Sequence, residues 1–442
     1  MEATKLEQVK PMFTVNVGNE TRIEVYGGYK EIGGNCIAIL DRDKKIIFDN
    51  GIRFWILRKF YRGRVTPLGS GELRSIGAIP PTEVFDGAEA LYISHLHLDH
   101  VGLLGPLPSG LTIKVPSYKM LEVLSKWYER TTTWLRDLPP NIGTTVREVE
   151  TLRSDENDII AIPISHSAYP SVAFVYQGSE VTIFYSGDMR LDPPVHGLIG
   201  CNIEEVLQDL GVSVDVAIIE GTNIGLSDTT FLGPAEFKLA LTSIALDAEL
   251  LLLSLDSMDL EALMTILLIG DEIGRDVVIA SHRIMDTFSA YAERILDKGV
   301  KAPLYAIETG KPPPLPIDNI SIREDVLKEP NRYILIQDPV CLLEMLRKIR
   351  LWDEKSNLVG SIAIFTDPEP KEVKEIEEEV IRRWLCMFGI TPMRLTLSGH
   401  YPPHHFGRLM RILKPRVLIP VHTRFPDVLC KLHARYTHSA RN

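Results

Sequence analysis

Ser94-His95-Leu96-His97-Leu98-Asp99-His100 follows directly on the apolar run Ala90-Leu91-Tyr92-Ile93. With 12 His in 442 residues, a chance His-x-His-x-Asp-His is expected in only about one chain in two thousand of this length, so the pattern is specific. Imidazole and carboxylate donors without thiolates suit zinc or a similar borderline divalent ion. Donors this close in the chain cannot all fold around one ion without strain. An extended backbone puts His95 and His97 on one side, and a turn into a helix-like Val101-Gly102-Leu103-Leu104 aims Asp99 and His100 elsewhere, which points to two adjacent metals.

The same arrangement recurs along the chain. Ile46-Ile47-Phe48 ends at Asp49, the run from Ile159 to Ser165 at His166, and the run from Val181 to Gly187 at Asp188. Val214 to Ile219 ends at Glu220, Arg394 to Gly399 at His400, and Arg416 to Val421 at His422. Singly, each has an ordinary structural explanation: Asp49 as a turn former, Asp188 as a loop cap, His166 as a core histidine. Together they fit one site, because strand ends are rigid and the loops beyond them leave space.

At 45% hydrophobic and 24% charged, the composition is that of a globular chain with room for two or three domains. Residues 1–224 alternate short β-branched runs with Gly, Pro and Asp turns, predicting a strand-rich layer with helices outside. From 225 to 393 helix and strand alternate as in a separate parallel-sheet module. Residues 394–442 return to a strand–helix–strand texture. The N-terminus has no apolar stretch, and the greasiest segment, Leu250 to Ile269, is interrupted by Asp256, Asp259 and Glu261. Neither a secretory signal nor a membrane span is expected. The five cysteines are scattered and never spaced Cys-x-x-Cys, which fits buried free thiols in the cytoplasm.

The net charge of −11 argues against a nucleic-acid partner, but the charge is unevenly spread. Residues 401–442 hold eight Lys and Arg against Asp427 alone, a local charge of +7. The segment Arg53-Phe54-Trp55-Ile56-Leu57-Arg58-Lys59-Phe60-Tyr61-Arg62-Gly63-Arg64 carries five basic and four aromatic residues and no acid. Basic groups track phosphates and aromatic rings stack on unpaired bases, so this arm suits single-stranded nucleic acid. The alternative is a solvated arm whose aromatics pack on the core or on a partner subunit.

The ordered set of motifs resembles the metallo-β-lactamase-fold nucleic-acid hydrolases that carry a β-CASP insertion, most closely the archaeal ribonuclease J branch. The residues that carry the resemblance begin with the opening hairpin from Gly27 to Cys36 and with Phe48-Asp49-Asn50-Gly51. They continue through the His95–His100 stretch, Ser165-His166-Ser167 and Ser186-Gly187-Asp188. Glu220-Gly221-Thr222, Leu397-Ser398-Gly399-His400 and Ile419-Pro420-Val421-His422 complete it. The resemblance implies an α/β fold, a metallo-β-lactamase αββα sandwich in two parts (1–224 and 394–442) around an inserted β-CASP α/β domain (225–393). It also implies two zinc ions per chain, one on His95, His97 and His166 and a second on Asp99, His100 and His422, with Asp188 bridging. Asp49 would orient the ligand loop from outside, and His400, held by Glu220, would protonate the leaving O3′. Arg53, Arg58, Lys59, Arg62, Ser398 and Gly399 are the expected contacts to single-stranded RNA, and a homodimer is compatible with this reading.

Three segments depart from the family pattern: Gln337-Asp338-Pro339-Val340, Thr366-Asp367-Pro368-Glu369-Pro370 and Thr423-Arg424. None removes a ligand, but they alter loops near the substrate. The extra C-terminal domain of bacterial relatives and an N-terminal RNA-binding domain are not expected. The implied activity is a zinc-dependent ribonuclease, exonuclease and/or endonuclease. The alternatives are a DNA-processing nuclease of the same superfamily, which typically lacks histidine at the position of His422, and a non-catalytic RNA-binding subunit, which usually loses ligands.

Overall fold

Along the strand Thr21–Gly27 buried and outward residues alternate, whereas Ala90–Tyr92 and Val216–Glu220 are buried throughout. Alternation marks a sheet covered on one face, and a continuous apolar run marks one covered on both. The computed structural model describes residues 10–61, 65–195, 198, 202–225, 232–352, 358–366 and 373–439. Its first sheet runs in chain order through β1 (Phe13–Asn16), β2 (Thr21–Gly27), β3 (Cys36–Asp41), β4 (Lys44–Phe48), β5 (Ala90–Tyr92), β6 (Thr112–Val115) and β7 (Thr145–Glu148). The second begins with β8 (Ile159–Ile164), β9 (Ser171–Gln177), β10 (Thr182–Tyr185) and β11 (Val216–Glu220).

The chain then builds a third sheet from β12 (Leu251–Ser254), β13 (Asp276–Ile279), β14 (Leu304–Ala306), β15 (Asn319–Ile320), β16 (Tyr333–Gln337), β17 (Ile362–Phe365) and β18 (Thr391–Arg394). All its pairings are parallel, in the order β15-β14-β13-β16-β12-β17-β18. It returns as β19 (Val417–Val421), which pairs in parallel with β11 and completes the second sheet.

The first two sheets face each other across one core, in which Phe48 stacks on Phe174 and Tyr185. Helices Phe54–Tyr61, Ser70–Ser75 and Tyr118–Tyr128 cover the outer face of the first sheet. Helices Ile203–Asp209, Phe406–Leu413 and Pro426–Ser439 cover that of the second. This is an αββα sandwich. The third sheet has helices on both faces, and one of its two cores takes in Tyr169 and Leu198 from the sandwich. Helix Leu260–Ile273 lies at that seam, buried almost all round, capped by Asp259 at its start and stopped by Gly274 at φ 72°.

Four expectations are corrected. Residues 395–399 are not a strand leading to His400, because β18 ends at Arg394 in the third sheet. Of the described cysteines Cys36 is buried, but Cys386 and Cys430 are exposed. The turn after the His95–Asp99 stretch is not helical from Val101 onward; the helix is Leu98–Val101 and contains Asp99 and His100. It ends because Gly102 adopts φ +60°, where a Cβ would lie 1.8 Å from the Asn50 carbonyl oxygen. The C-terminal stretch closes with a helix, not a strand. Among the described residues, no helix is long and apolar enough to cross a membrane.

Candidate metal centre

β4, β5, β8, β10, β11 and β19 end at one edge of the sandwich, and the residues that follow them converge there. Asp49 caps β4 in a left-handed conformation (φ 60°), one that Asp tolerates because its carboxylate finds local partners. Its Oδ1 accepts the Ser94 N–H at 2.7 Å. Its Oδ2 accepts Ser94 Oγ at 2.9 Å, His100 Nδ1 at 2.7 Å and Tyr185 Oη at 2.5 Å. The wholly buried Asp49 therefore ties the ligand loop to both sheets.

Two sets of donors lie side by side. The ligand atoms of His95, His97 and His166 are within 4.8 Å of one another, as are those of Asp99, His100 and His422. Asp188 lies between: its Oδ2 is 3.1 Å from His100 Nε2 and 3.3 Å from His422 Nε2, and 3.9 and 4.0 Å from the Nε2 atoms of His95 and His166. Two donors on one tetrahedral zinc at 2.0–2.1 Å stand about 3.4 Å apart. The separations of 3.2 Å for His97 Nδ1–His166 Nε2 and 3.3 Å for His422 Nε2–Asp99 Oδ2 suit that geometry. Among the described residues, His95 Nε2 and Asp188 Oδ1 are buried without a hydrogen-bond partner, and His100 Nε2 has no polar contact but the ion pair with Asp188. Buried polar atoms are rarely left so, and here they point where an ion would sit. The donor set therefore fits divalent metal.

Outer contacts set the imidazole tautomers. His166 Nδ1 donates to the Gly399 carbonyl at 2.6 Å, His422 Nδ1 pairs with Thr222 Oγ1 at 2.7 Å, and His95 Nδ1 with Ser94 Oγ at 3.1 Å. Each leaves Nε2 for the ion. Burial, together with neighbouring imidazoles, holds His95 and His166 well below the usual histidine range, whereas for His100 Asp188 and Asp49 outweigh burial and hold it well above. Burial would raise the Asp188 carboxyl, but His100, His422 and His400 outweigh it and keep it well below the usual carboxylate range.

His400 stands outside both triads, with Nδ1 3.2 Å from Glu220 Oε1 and 3.9 Å from Asp188 Oδ2. Burial disfavours its charge, but Glu220 and then Asp188 prevail and raise its pKa, which favours its protonated form. Glu220 is fully buried and held in turn: its Oε2 accepts the Thr222 N–H at 2.8 Å and its main-chain oxygen accepts Tyr401 Oη at 2.5 Å.

The expected RNA contacts are placed less uniformly. Arg53 is turned inward, its Nε 2.8 Å from the buried Glu31 Oε1 and its Nη1 donating to Gly77 O. Trp55 also donates to Glu31, so the start of the arm is structural. Arg58 is half-buried beside a groove shared with Tyr61 and Trp134, and Lys59 is exposed over the Trp55 ring. Arg62 lies outside the described residues, as do Gly63 and Arg64. Ser398 is buried, with Oγ accepting from Asn223 Nδ2 and the His400 N–H. Gly399 backs His166, since a Cβ there would come within 2.9 Å of the His166 ring. Both residues serve the metal floor from within. In the basic tail Arg408 pairs with Asp192 and Arg416 donates to Val17 O, and Arg441 lies outside the described residues.

Sequence reasoning missed a buried charge cluster at the seam. Arg190, two residues beyond Asp188, has Nη2 2.7 Å from Asp259 and Nη1 2.9 Å from Glu261, and its Nε donates to Ser398 O at 2.7 Å. Ser165, beside His166, donates to the same Glu261 oxygen at 2.5 Å. The available signal was an acid inside the apolar run Leu250 to Ile269, which calls for a buried partner. Of the departing loops, Asp338 is buried and accepts Ser281 Oγ, Thr423 is buried and bridged to Tyr29 and Glu31, and residues 367–370 lie outside the described residues.

No family model matches the sequence. The chain is 24% identical over 430 residues to ribonuclease J of Pyrococcus abyssi, covering 92% of this chain and 90% of that protein. It is 23% identical to ribonuclease J of Mycoplasma genitalium, over 92% of this chain and 68% of that one. A crystal structure of a protein of unknown function from Enterococcus faecalis V583 shares the fold with a TM-score of 0.69 at 20% identity, over 92% of this chain and 95% of that one. The described architecture is an αββα sandwich with an inserted parallel-sheet α/β domain.

Proposed function

We propose that this chain, similar to ribonuclease J over nearly its whole length, is itself a metal-dependent ribonuclease that hydrolyses phosphodiester bonds of single-stranded RNA in the cytoplasm. Two zinc ions would be held, one by His95, His97 and His166, the other by Asp99, His100 and His422, with Asp188 between them. When bound, such a pair supplies a water of lowered pKa and positive charge beside the phosphoryl oxygens.

The chain's own groups do the rest. Asp49 keeps His100 and the ligand loop in register through its four hydrogen bonds. Protonated His400, held by Glu220, delivers its proton to the departing 3′ oxygen, which would otherwise leave as an alkoxide. The carrying observation is the convergence of seven donors, among them buried atoms without partners, next to a histidine that is paired with a buried glutamate and belongs to neither triad.

The test uses purified full-length protein on labelled RNA and on DNA of the same sequence, before and after chelation and with zinc or manganese restored. RNA cleavage that disappears on chelation and returns with metal is expected, by exonucleolytic or endonucleolytic attack as the product ladder reads. Equal cutting of DNA would replace this reading with a DNA-processing nuclease. Metal-loaded protein that binds RNA without cutting it would make the chain a non-catalytic RNA-binding subunit.

A further inference from the structure

Among the described residues, four of the five imidazoles in the two ligand sets have an outer hydrogen-bond partner: Ser94 for His95, Asp49 for His100, Gly399 O for His166 and Thr222 for His422. His97 is the exception. Its Nδ1 faces His166 Nε2 at 3.2 Å, as a fellow donor to one ion would. Its Nε2 is buried with no partner at hydrogen-bonding distance. A carboxylate oxygen, Asp256 Oδ2, lies 3.7 Å from that Nε2.

Asp256 does not belong to the sandwich. It follows β12 in the inserted domain, where its Oδ1 accepts the Met258 N–H at 2.8 Å and its Oδ2 faces His97. The turn is pinned to the sandwich on both sides. Tyr169 N–H donates to Met258 O at 3.0 Å, and Asp259 and Glu261 clamp Arg190 at 2.7 and 2.9 Å. Closing the remaining gap takes less than about 1 Å to reach an ordinary N–H···O distance.

We propose that Asp256 is a positioning residue for the metal centre: its carboxylate accepts a hydrogen bond from His97 Nε2–H, which directs the Nδ1 lone pair at the ion and makes metal affinity depend on how the inserted domain is seated. A carboxylate behind a ligating imidazole fixes both its tautomer and its orientation. The proposal rests on the metal reading above, and its failure is distinguishable from the failure of that reading.

Full-length wild type, Asp256→Ala, Asp256→Asn and the neighbouring control Ser257→Ala would be titrated with zinc against a chromophoric chelator, with thermal melts of the metal-free proteins alongside. Asp256→Ala should bind zinc about 10- to 100-fold more weakly, and Ser257→Ala should match wild type. Asp256→Asn keeps an acceptor for Met258 without the charge, and should fall between. A downfield imidazole N–H proton signal, present in zinc-loaded wild type and lost in Asp256→Ala, separates positioning from general loosening. Wild-type zinc affinity in Asp256→Ala, or in Asp256→Asn should the alanine variant not fold, overturns the proposal. Wild type that binds no zinc overturns the reading on which it rests.

Discussion

The metal floor and the basic arm are both chemically distinctive in the sequence, yet the structure treats them differently. On the floor, Asp49, His95, His166, Asp188 and His422 follow strand ends, the helix Leu98–Val101 brings in Asp99 and His100, and the donors meet within hydrogen-bond or ligand distance. On the arm, Arg53 is consumed by the buried Glu31 while Lys59, six residues later, is exposed. The lesson is one of constraint. A metal centre needs particular residue types at rigid positions, whereas a basic segment satisfies its composition equally well facing in or out.

Substitution should magnify that contrast. Asp188→Ala and His97→Ala should lose metal and activity together, by at least about 10⁴-fold, because the nucleophile and the charge stabilisation go at once. Metal content by elemental analysis beside cleavage rates checks this; either variant keeping full metal and activity would move the floor elsewhere. His400→Ala should keep its metal and lose about 10²–10⁴-fold in turnover. Zinc loss as complete as in His97→Ala would make His400 a ligand. The raised pKa of His400 implies activity that falls as pH rises through it, since the neutral ring has no proton to give. Glu220→Gln removes the leading cause of the rise after burial is set against it, so the alkaline limb should move to lower pH.

The seam lies between these extremes. Arg190→Met strands two buried carboxylates and should cost about 3–5 kcal/mol in unfolding free energy, read by denaturant titration. Burial pushes Glu261 up to about 7 from its ordinary 4.5, against the pull of Arg190 and Ser165. A folded pKa above the unfolded one means stability fully present below about 4.5 and lost as pH rises through about 7. Stability should therefore decline from pH 5 to pH 8, and Glu261→Gln should flatten the decline; an unchanged slope would reassign the titrating group.

The smallest effect belongs to the arm. Replacing Arg58 and Lys59 together should lower the log–log salt slope of RNA binding by up to about 1.4 units, at about 0.7 per phosphate contact. Arg53→Ala should leave the slope alone and lower stability instead. The reverse outcome would erase the distinction between floor and arm.

Much of the candidate site was legible because most of its residues follow strands closely, and an apolar run closed by a polar residue is a local fact. The partners of Asp49 were not. Ser94 and Tyr185 stand 45 and 136 residues from it in sequence and look like ordinary strand residues. Asp256, Asp259 and Glu261 were visible as interruptions of an apolar run, and that sufficed only to argue against a membrane span. Their partners His97 and Arg190 come from another domain.

The sequence by itself determined the donor types, their order and their positions at strand ends, because metal chemistry admits few side chains and strands place them at regular intervals. Only the tertiary structure decided which imidazole nitrogen faces inward, which basic residues remain outside, and how the inserted domain grips the floor. Those outcomes depend on contacts between segments hundreds of residues apart, such as His166 with Gly399 and Asp99 with His422. No local pattern encodes such contacts; they exist only once the sheets have packed face to face and brought the strand ends together.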